Sequence, residues 1–186
     1  NTLIIFTSDN GGQGNVGARN APWKGEKQQM WEGGLRVPTC ASWTGKIKPG
    51  SLFDGDAMTM DWLPTLAEVA GVPAPEGIEG KSLLGALSGK GADLGERLLI
   101  WVRREGGAKY GGQDYYAVRR GKWKLLQNSA FEPLNLFDLN ADPGEQSPVQ
   151  KAGKERRELE FQLREHVRRA GFIRWQGREP DVEMVK

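Results

Sequence analysis

Leu3-Ile4-Ile5-Phe6-Thr7-Ser8-Asp9-Asn10-Gly11-Gly12 joins an apolar run to a carboxylate, a carboxamide and two glycines. Four consecutive apolar residues closed by a turn signal read as a buried strand, and apolarity on both faces suits a central parallel strand. Open α/β sheets bind ligands outside the carboxyl ends of their strands, which is where Asp9 and Asn10 fall. A carboxylate beside an amide carbonyl offers hard oxygen donors, suited to Ca²⁺ or Mg²⁺ better than to zinc. The same residues would equally serve a tight turn, because Asn and Gly tolerate positive φ. On this stretch alone the two readings stand level.

Further along come Asn20-Ala21-Pro22-Trp23-Lys24-Gly25-Glu26-Lys27 and Trp31-Glu32-Gly33-Gly34-Leu35-Arg36-Val37-Pro38. Met60-Asp61-Trp62-Leu63-Pro64-Thr65-Leu66-Ala67-Glu68-Val69-Ala70-Gly71 and Gly80-Lys81-Ser82-Leu83-Leu84 follow. Ala117-Val118-Arg119-Arg120-Gly121-Lys122-Trp123-Lys124-Leu125 and Leu136-Phe137-Asp138-Leu139-Asn140-Ala141-Asp142-Pro143-Gly144-Glu145 complete the series. Taken in order, these segments resemble the carboxy-terminal portion of the sulfatase (arylsulfatase-like) family, within the alkaline-phosphatase-like superfamily. That family has an Asp-Asn-Gly metal motif at a strand end, a basic loop of the form Pro-Leu-Arg-Gly-Gly-Lys-Gly, and a Glu-Gly-Gly-Ile-Arg-Val-Pro segment. Lys27 falls at the family's lysine, with the family's spacing to Glu32. Lys24 stands where Arg is more usual, and Trp23 replaces Leu.

The resemblance implies an α/β fold: the end of a mixed or parallel catalytic sheet with helices, then a small antiparallel subdomain with a C-terminal helix. It implies sulfate ester hydrolysis assisted by calcium and a formylglycine nucleophile. By the same resemblance Asp9 and Asn10 are metal ligands, and Lys27 is a catalytic residue that contacts the sulfate group. The family makes formylglycine from a Cys/Ser-x-Pro-x-Arg motif, and no such motif occurs in these 186 residues. The only cysteine, Cys40, is followed by Ala41-Ser42-Trp43 and reads as a small core residue. The expectation is therefore a fragment whose nucleophile lies in a missing amino-terminal half, inactive by itself, with a sulfated small molecule or glycan as the parent's substrate. Family members are commonly exported, so a periplasmic or secreted location is expected. Two alternatives remain: a phosphodiester or phosphonate ester hydrolase of the same superfamily, and a non-catalytic metal- or glycan-binding remnant.

At 186 residues and a net charge of +2, the chain can bury a core, and bulk charge makes no case for nucleic acid or an anionic membrane. No stretch approaches the roughly 20 apolar residues of a membrane span. We expect a division into 1–90, the end of the catalytic domain, and 91–186, the antiparallel subdomain. Leu35 to Trp43 reads as a buried strand. Asp61 can cap a helix that runs to Gly71 with Leu63, Leu66, Ala67 and Ala70 on its sheet-covering face. Ser82 to Leu87 reads as a short capped helix. Leu98 to Arg103, Tyr115 to Arg119, Trp123 to Leu126 and Leu134 to Asp138 read as antiparallel strands.

Lys154 to Ala170 repeats Leu159, Leu163, Val167 and Ala170 at helical spacing, with Arg and Glu elsewhere on a solvated face. His166, the only histidine, has no second histidine for a zinc pair and reads as packing or surface. Glu32 and Arg36 read as structural, Arg36 pairing with an acidic partner inside. Gly11-Gly12-Gln13-Gly14 lacks the Gly-Lys-Ser/Thr ending of a phosphate-binding loop and reads as a flexible loop. Trp23, Trp31 and Trp43 could stack on a sugar or aryl group or fill a core.

Overall fold

The computed structural model describes residues 1–91, 94–104, 114–129 and 131–170. Along the chain come β1 (Leu3–Thr7), a helical turn α1 (Glu32–Leu35), β2 (Thr39–Trp43), α2 (Trp62–Ala70) and α3 (Leu84–Leu87). Then follow β3 (Leu98–Arg104), β4 (Asp114–Arg120), β5 (Trp123–Gln127), β6 (Asn135–Asp138) and α4 (Gly153–Ala170). They form two compact units: residues 1–9 with 37–95, and residues 10–36 with the described residues from 96 onward. Residues 92–93, 105–113, 130 and 171–186, all in the expected second domain, lie outside the described residues.

In the first unit, β1 and β2 pair antiparallel, from Leu3 opposite Trp43 to Thr7 opposite Thr39. This is the one pairing of β1 among the described residues, where a parallel neighbour was expected. Ile4 and Phe6 alternate onto an exposed face, and Cys40, directly opposite Phe6, is exposed with it rather than in a core. The expected strand from Leu35 also starts later. Glu32 to Leu35 close a helical turn, and β2 begins after Pro38, at Thr39.

The expected helix after Asp61 forms as α2, and Gly71 ends it at φ 70°. Asp61 does not cap it, however. Its fully buried carboxylate accepts the Met58 N–H at 2.7 Å and the Lys81 N–H at 2.9 Å. Thr65 Oγ1 donates to the Asp61 carbonyl at 2.6 Å and accepts the Leu83 N–H at 2.8 Å. These polar ties turn Pro64 and Thr65 inward, so Leu63 and Leu66 are exposed rather than covering a sheet. Ser82 Oγ accepts the Leu84 N–H at 3.2 Å, at the start of α3.

The second unit is built on an antiparallel meander in the order β3-β4-β5-β6, close to the four strands read from the sequence. Arg120 pairs with Trp123 across a two-residue turn, where Gly121 takes φ 53°. Side chains alternate between the two faces. Val118, Leu125 and Leu136 meet Leu159 and Leu163 of α4, with Val167 alongside, as the helical spacing predicted. Ala117, Leu126 and Phe137 on the opposite face meet Met30, Trp31 and Leu35. The sheet is thus covered on both sides, by α4 and by residues of the 10–36 segment. The outer residues of α4 pair among themselves, Arg164 with Glu160 at 2.5 Å and Arg168 with Glu165 at 2.7 Å, as a solvated face should.

Candidate functional site

Within the second unit, residues 10–36 fold into a loop closed by glycine contacts. Gly11 donates to the Gly34 carbonyl at 2.9 Å, and a Cβ on Gly11 would stand 1.9 Å from the Gly33 oxygen. Gly33 donates to the Lys24 carbonyl at 2.7 Å, and a Cβ there would stand 2.6 Å from that same oxygen. Only glycine permits backbone to lie so close to backbone. Asn20 adds a side-chain rivet: it accepts the Gly12 N–H at 2.9 Å and donates to the Gly12 and Gly25 carbonyls at 2.8 and 3.1 Å. The Gly11–Gly14 stretch is therefore hydrogen-bonded at several points, not the loose loop expected, and Gly14 donates to Glu26 Oε2 at 2.6 Å.

Lys27 lies on this loop, with its N–H donating to the Gly12 carbonyl at 3.1 Å. Its side chain is exposed and makes no hydrogen bond or ion pair among the described residues. Lys24 differs. Its Nζ stands 3.7 Å from the Trp31 ring centroid and donates to the Glu145 carbonyl at 3.1 Å, so its charge is already engaged. Asp9 follows β1 as an exposed carboxylate with no hydrogen bond or ion pair among the described residues, and half-buried Asn10 opens the second unit. His166 is half-buried on α4. Trp31 fills core, edge-on to Phe137 at 5.5 Å between centroids. Trp23 carries the Arg36 guanidinium 4.1 Å above its ring.

Beneath the loop lies a charge cluster that sequence reasoning identified only in part. Glu32 Oε1 meets Lys124 Nζ at 2.8 Å, and Glu32 Oε2 meets Arg36 Nε at 2.8 Å, with Arg119 Nη1 at 3.8 Å. Lys124 Nζ also lies 2.8 Å from Glu145 Oε1, and Glu145 Oε2 accepts the Glu32 N–H at 2.7 Å. Lys124 and Glu145 are both 0% exposed. Burial tends to raise the Glu32 pKa, but Lys124, Arg119 and Arg36 outweigh it and hold the carboxyl below its ordinary value. For Glu145 burial wins over Lys124 and pushes the carboxyl up.

The pairing of Arg36 with an acid matches the expectation, whereas Lys124 and Glu145 were missed. A signal for Lys124 was present. It shares a strand face with Leu126, and that face is as apolar as its opposite, so a lysine there must be buried and paired. Glu145 has no such periodic signal. It takes φ 53° beyond Asp142-Pro143-Gly144, a turn sequence that hides its inward course.

As to metal, Asp9 and Asn10 are hard oxygen donors of the kind Ca²⁺ takes, and two donors form part of a shell of about six to eight. Among the described residues no group of three or more His, Cys, Asp or Glu side chains could hold a metal ion. The pair thus fits a contribution to a cation site rather than a complete one.

Residues 23–171 match the family described as N-sulphoglucosamine sulphohydrolase, C-terminal. Among curated proteins, the chain is 30% identical to steryl-sulfatase of Homo sapiens over 192 residues, covering 83% of this chain and 32% of that protein. It is 33% identical to arylsulfatase A of Homo sapiens over 169 residues, covering 77% of this chain and 32% of that one. Among solved structures it is similar to Ps i-CgsB in complex with k-i-k-neocarrahexaose, at TM-score 0.75 and 28% identity, over 97% of this chain and 38% of that one. The chain spans about a third of the length of these curated relatives. No helix among the described residues is long and apolar enough to cross a membrane.

Proposed function

The chain belongs to the sulfatase family, in that family's carboxy-terminal portion, and from this premise we propose that it supplies part of the active site of a sulfuric ester hydrolase. The observation that carries the reading is Lys27, a lysine with an uncommitted side chain on a loop whose backbone is otherwise fixed. Hydrolysis of a sulfate ester breaks an S–O bond, and negative charge develops on the departing oxygen. An ammonium beside the sulfuryl group stabilises that charge. Lys27 takes this role and binds the sulfate group of the substrate.

Asp9 and Asn10 would contribute to holding a divalent cation, calcium in the first instance, which would supply charge neutralisation for the sulfuryl oxygens. Asp9 brings the negative charge and Asn10 a neutral carbonyl. The nucleophile, a formylglycine, comes from outside these 186 residues, which contain no Cys/Ser-x-Pro-x-Arg motif. The chain alone is accordingly without turnover. Substrates are sulfated small molecules or glycans, and the complete protein is exported to the periplasm or the medium.

The test is turnover of an aryl sulfate ester against the matching phosphate and phosphonate esters, in the complete protein carrying this chain. Lys27→Met should lower kcat/KM for the sulfate ester by about 10²–10³, the range for losing one oriented charge-stabilising donor. Its melting temperature should stay unchanged, since an exposed unpaired lysine carries little stability. Wild-type-like turnover in Lys27→Met, or preference for the phosphonate ester, would overturn the reading.

A further inference from the structure

The buried cluster beneath the loop has a place in catalysis as well as in folding. Building on the role just given to Lys27, we infer that Lys124 and Glu145 are positioning residues for it, acting through Glu32. The connection is continuous within the second unit. Lys124 projects from β5, one of the two inner strands, and pairs with Glu32 at 2.8 Å and with Glu145 at 2.8 Å. Glu145 in turn holds the Glu32 N–H at 2.7 Å through its carboxylate and the Lys24 ammonium at 3.1 Å through its carbonyl.

Glu32 and Lys24 are the two feet of the loop that carries Lys27, tied to each other where Gly33 donates to the Lys24 carbonyl at 2.7 Å. From those feet the chain rises through Gly25, held by Asn20, to Lys27, held by Gly12. Lys27 itself has no side-chain partner, so the position of its ammonium depends on where its backbone is held. Both feet end on Glu145, and Glu145 ends on Lys124.

An apolar cluster of equal volume would serve stability as well, since buried ion pairs rarely outperform hydrophobic packing. What the charged contacts add here is a tether for Glu32 and Lys24 to the sheet: Lys124 donates to Glu32 and lies in ion-pair range of Glu145, whose carbonyl accepts from Lys24. Arg36 and Arg119 hold only the outer oxygen of Glu32, and Arg36 is 48% exposed, so they leave the buried Oε1 to Lys124.

A double-mutant cycle separates positioning from plain structural support. The variants are Lys124→Met, Glu145→Gln and Lys27→Met, alone and combined, in the complete protein, with Lys122→Met as a control. Lys122 lies on the same hairpin but is exposed and paired with Asp138 at 2.7 Å. Lys124→Met and Glu145→Gln should each lower kcat by about tenfold to a hundredfold, the cost of a small misplacement. Neither should lower it further once Lys27 is Met. Additive losses, or kcat unchanged in both single variants, would overturn the inference.

Lys27→Met without effect would instead sink the catalytic reading of Lys27, and this inference with it. If Lys124→Met does not fold, Glu145→Gln carries the cycle, because glutamine retains an acceptor for the Glu32 N–H. A second readout needs no turnover. In the complete protein, Glu145→Gln should speed amide exchange at Gly33 and Lys27 by about tenfold or more beyond any acceleration at Val118 and Leu125. Equal acceleration at all four amides would mean a general loss of stability and would also overturn the inference.

Discussion

Glu32 and Glu145 are two carboxylates on one ammonium, yet they should answer very differently to the same substitution. Glu32 faces Lys124, Arg36 and Arg119, and its charge is favoured despite burial. Glu32→Gln therefore leaves cations short of a partner in a buried setting, and breaking a buried pair costs about 3–5 kcal/mol. Glu145 is buried with Lys124 as its one ion-pair partner among the described residues, and burial dominates. Glu145→Gln relieves that desolvation, leaves Lys124 its Glu32 partner, and keeps an acceptor for the Glu32 N–H. Its expected cost is about 1 kcal/mol, the net worth of one hydrogen bond. Urea unfolding of the two variants tests the order, and a larger cost for Glu145→Gln would reverse this account. At the same scale, Lys24 and Lys27 are three residues apart in one loop, but only Lys27 keeps an uncommitted charge.

The loop of residues 10–36 holds its shape through absent side chains as much as through bonds. Gly33 has an ordinary backbone conformation but meets the Gly25 and Lys24 carbonyls at 2.5 and 2.6 Å from a notional Cβ. Gly33→Ala must push backbone apart, which costs about 1–3 kcal/mol and displaces α1 with it. Gly17 is the opposite case, with φ 88° and nothing within 4 Å of its Cβ position. Gly17→Ala meets only the strain of a left-handed conformation, about 1 kcal/mol. Melting curves should rank Gly33→Ala well below Gly17→Ala, and equal losses would mean that the loop yields at its base. In α4, Leu163 lies against Val118, Leu125 and Leu136. Leu163→Ala should cost about 2–5 kcal/mol by the same urea measurement, as expected for a buried leucine.

At the scale of the molecule, what was legible in the sequence was what repeats. The alternation in Leu98 to Asp138 marks four strands, and the spacing of Leu159, Leu163 and Val167 marks α4, because one buried face per element imposes a period. Contacts that depend on long-range closure left no such period. The outward turn of Leu63 and Leu66 follows from a buried Asp61 held by Met58 and Lys81, and the burial of Glu145 follows from a loop course. Of the proposed site, Lys27, Asp9 and Asn10 rest on family spacing, while the buried course of Glu145 needed the fold.

The buried pair of Lys124 and Glu145 also sets the pH response of the chain. Glu145, with a raised pKa, binds its proton more readily folded than unfolded, so stability grows as pH falls from neutrality through that raised value toward 4.5. Glu32, with a lowered pKa, does the reverse. Its contribution is full above 4.5 and is lost as pH falls through its folded value. Asp138 beside Lys122 and Glu165 beside Arg168 share its sign but are exposed, where screening leaves ion pairs little weight. Urea midpoints followed by tryptophan fluorescence from about pH 8 to about pH 3 should therefore pass through a maximum on the acid side of neutrality. Glu145→Gln should remove the rise above 4.5 and keep the fall below it, whereas Glu32→Gln should flatten the fall. Parallel wild-type and Glu145→Gln curves above 4.5 would show that Lys124 outweighs burial at Glu145, and that the two carboxylates share its charge on equal terms.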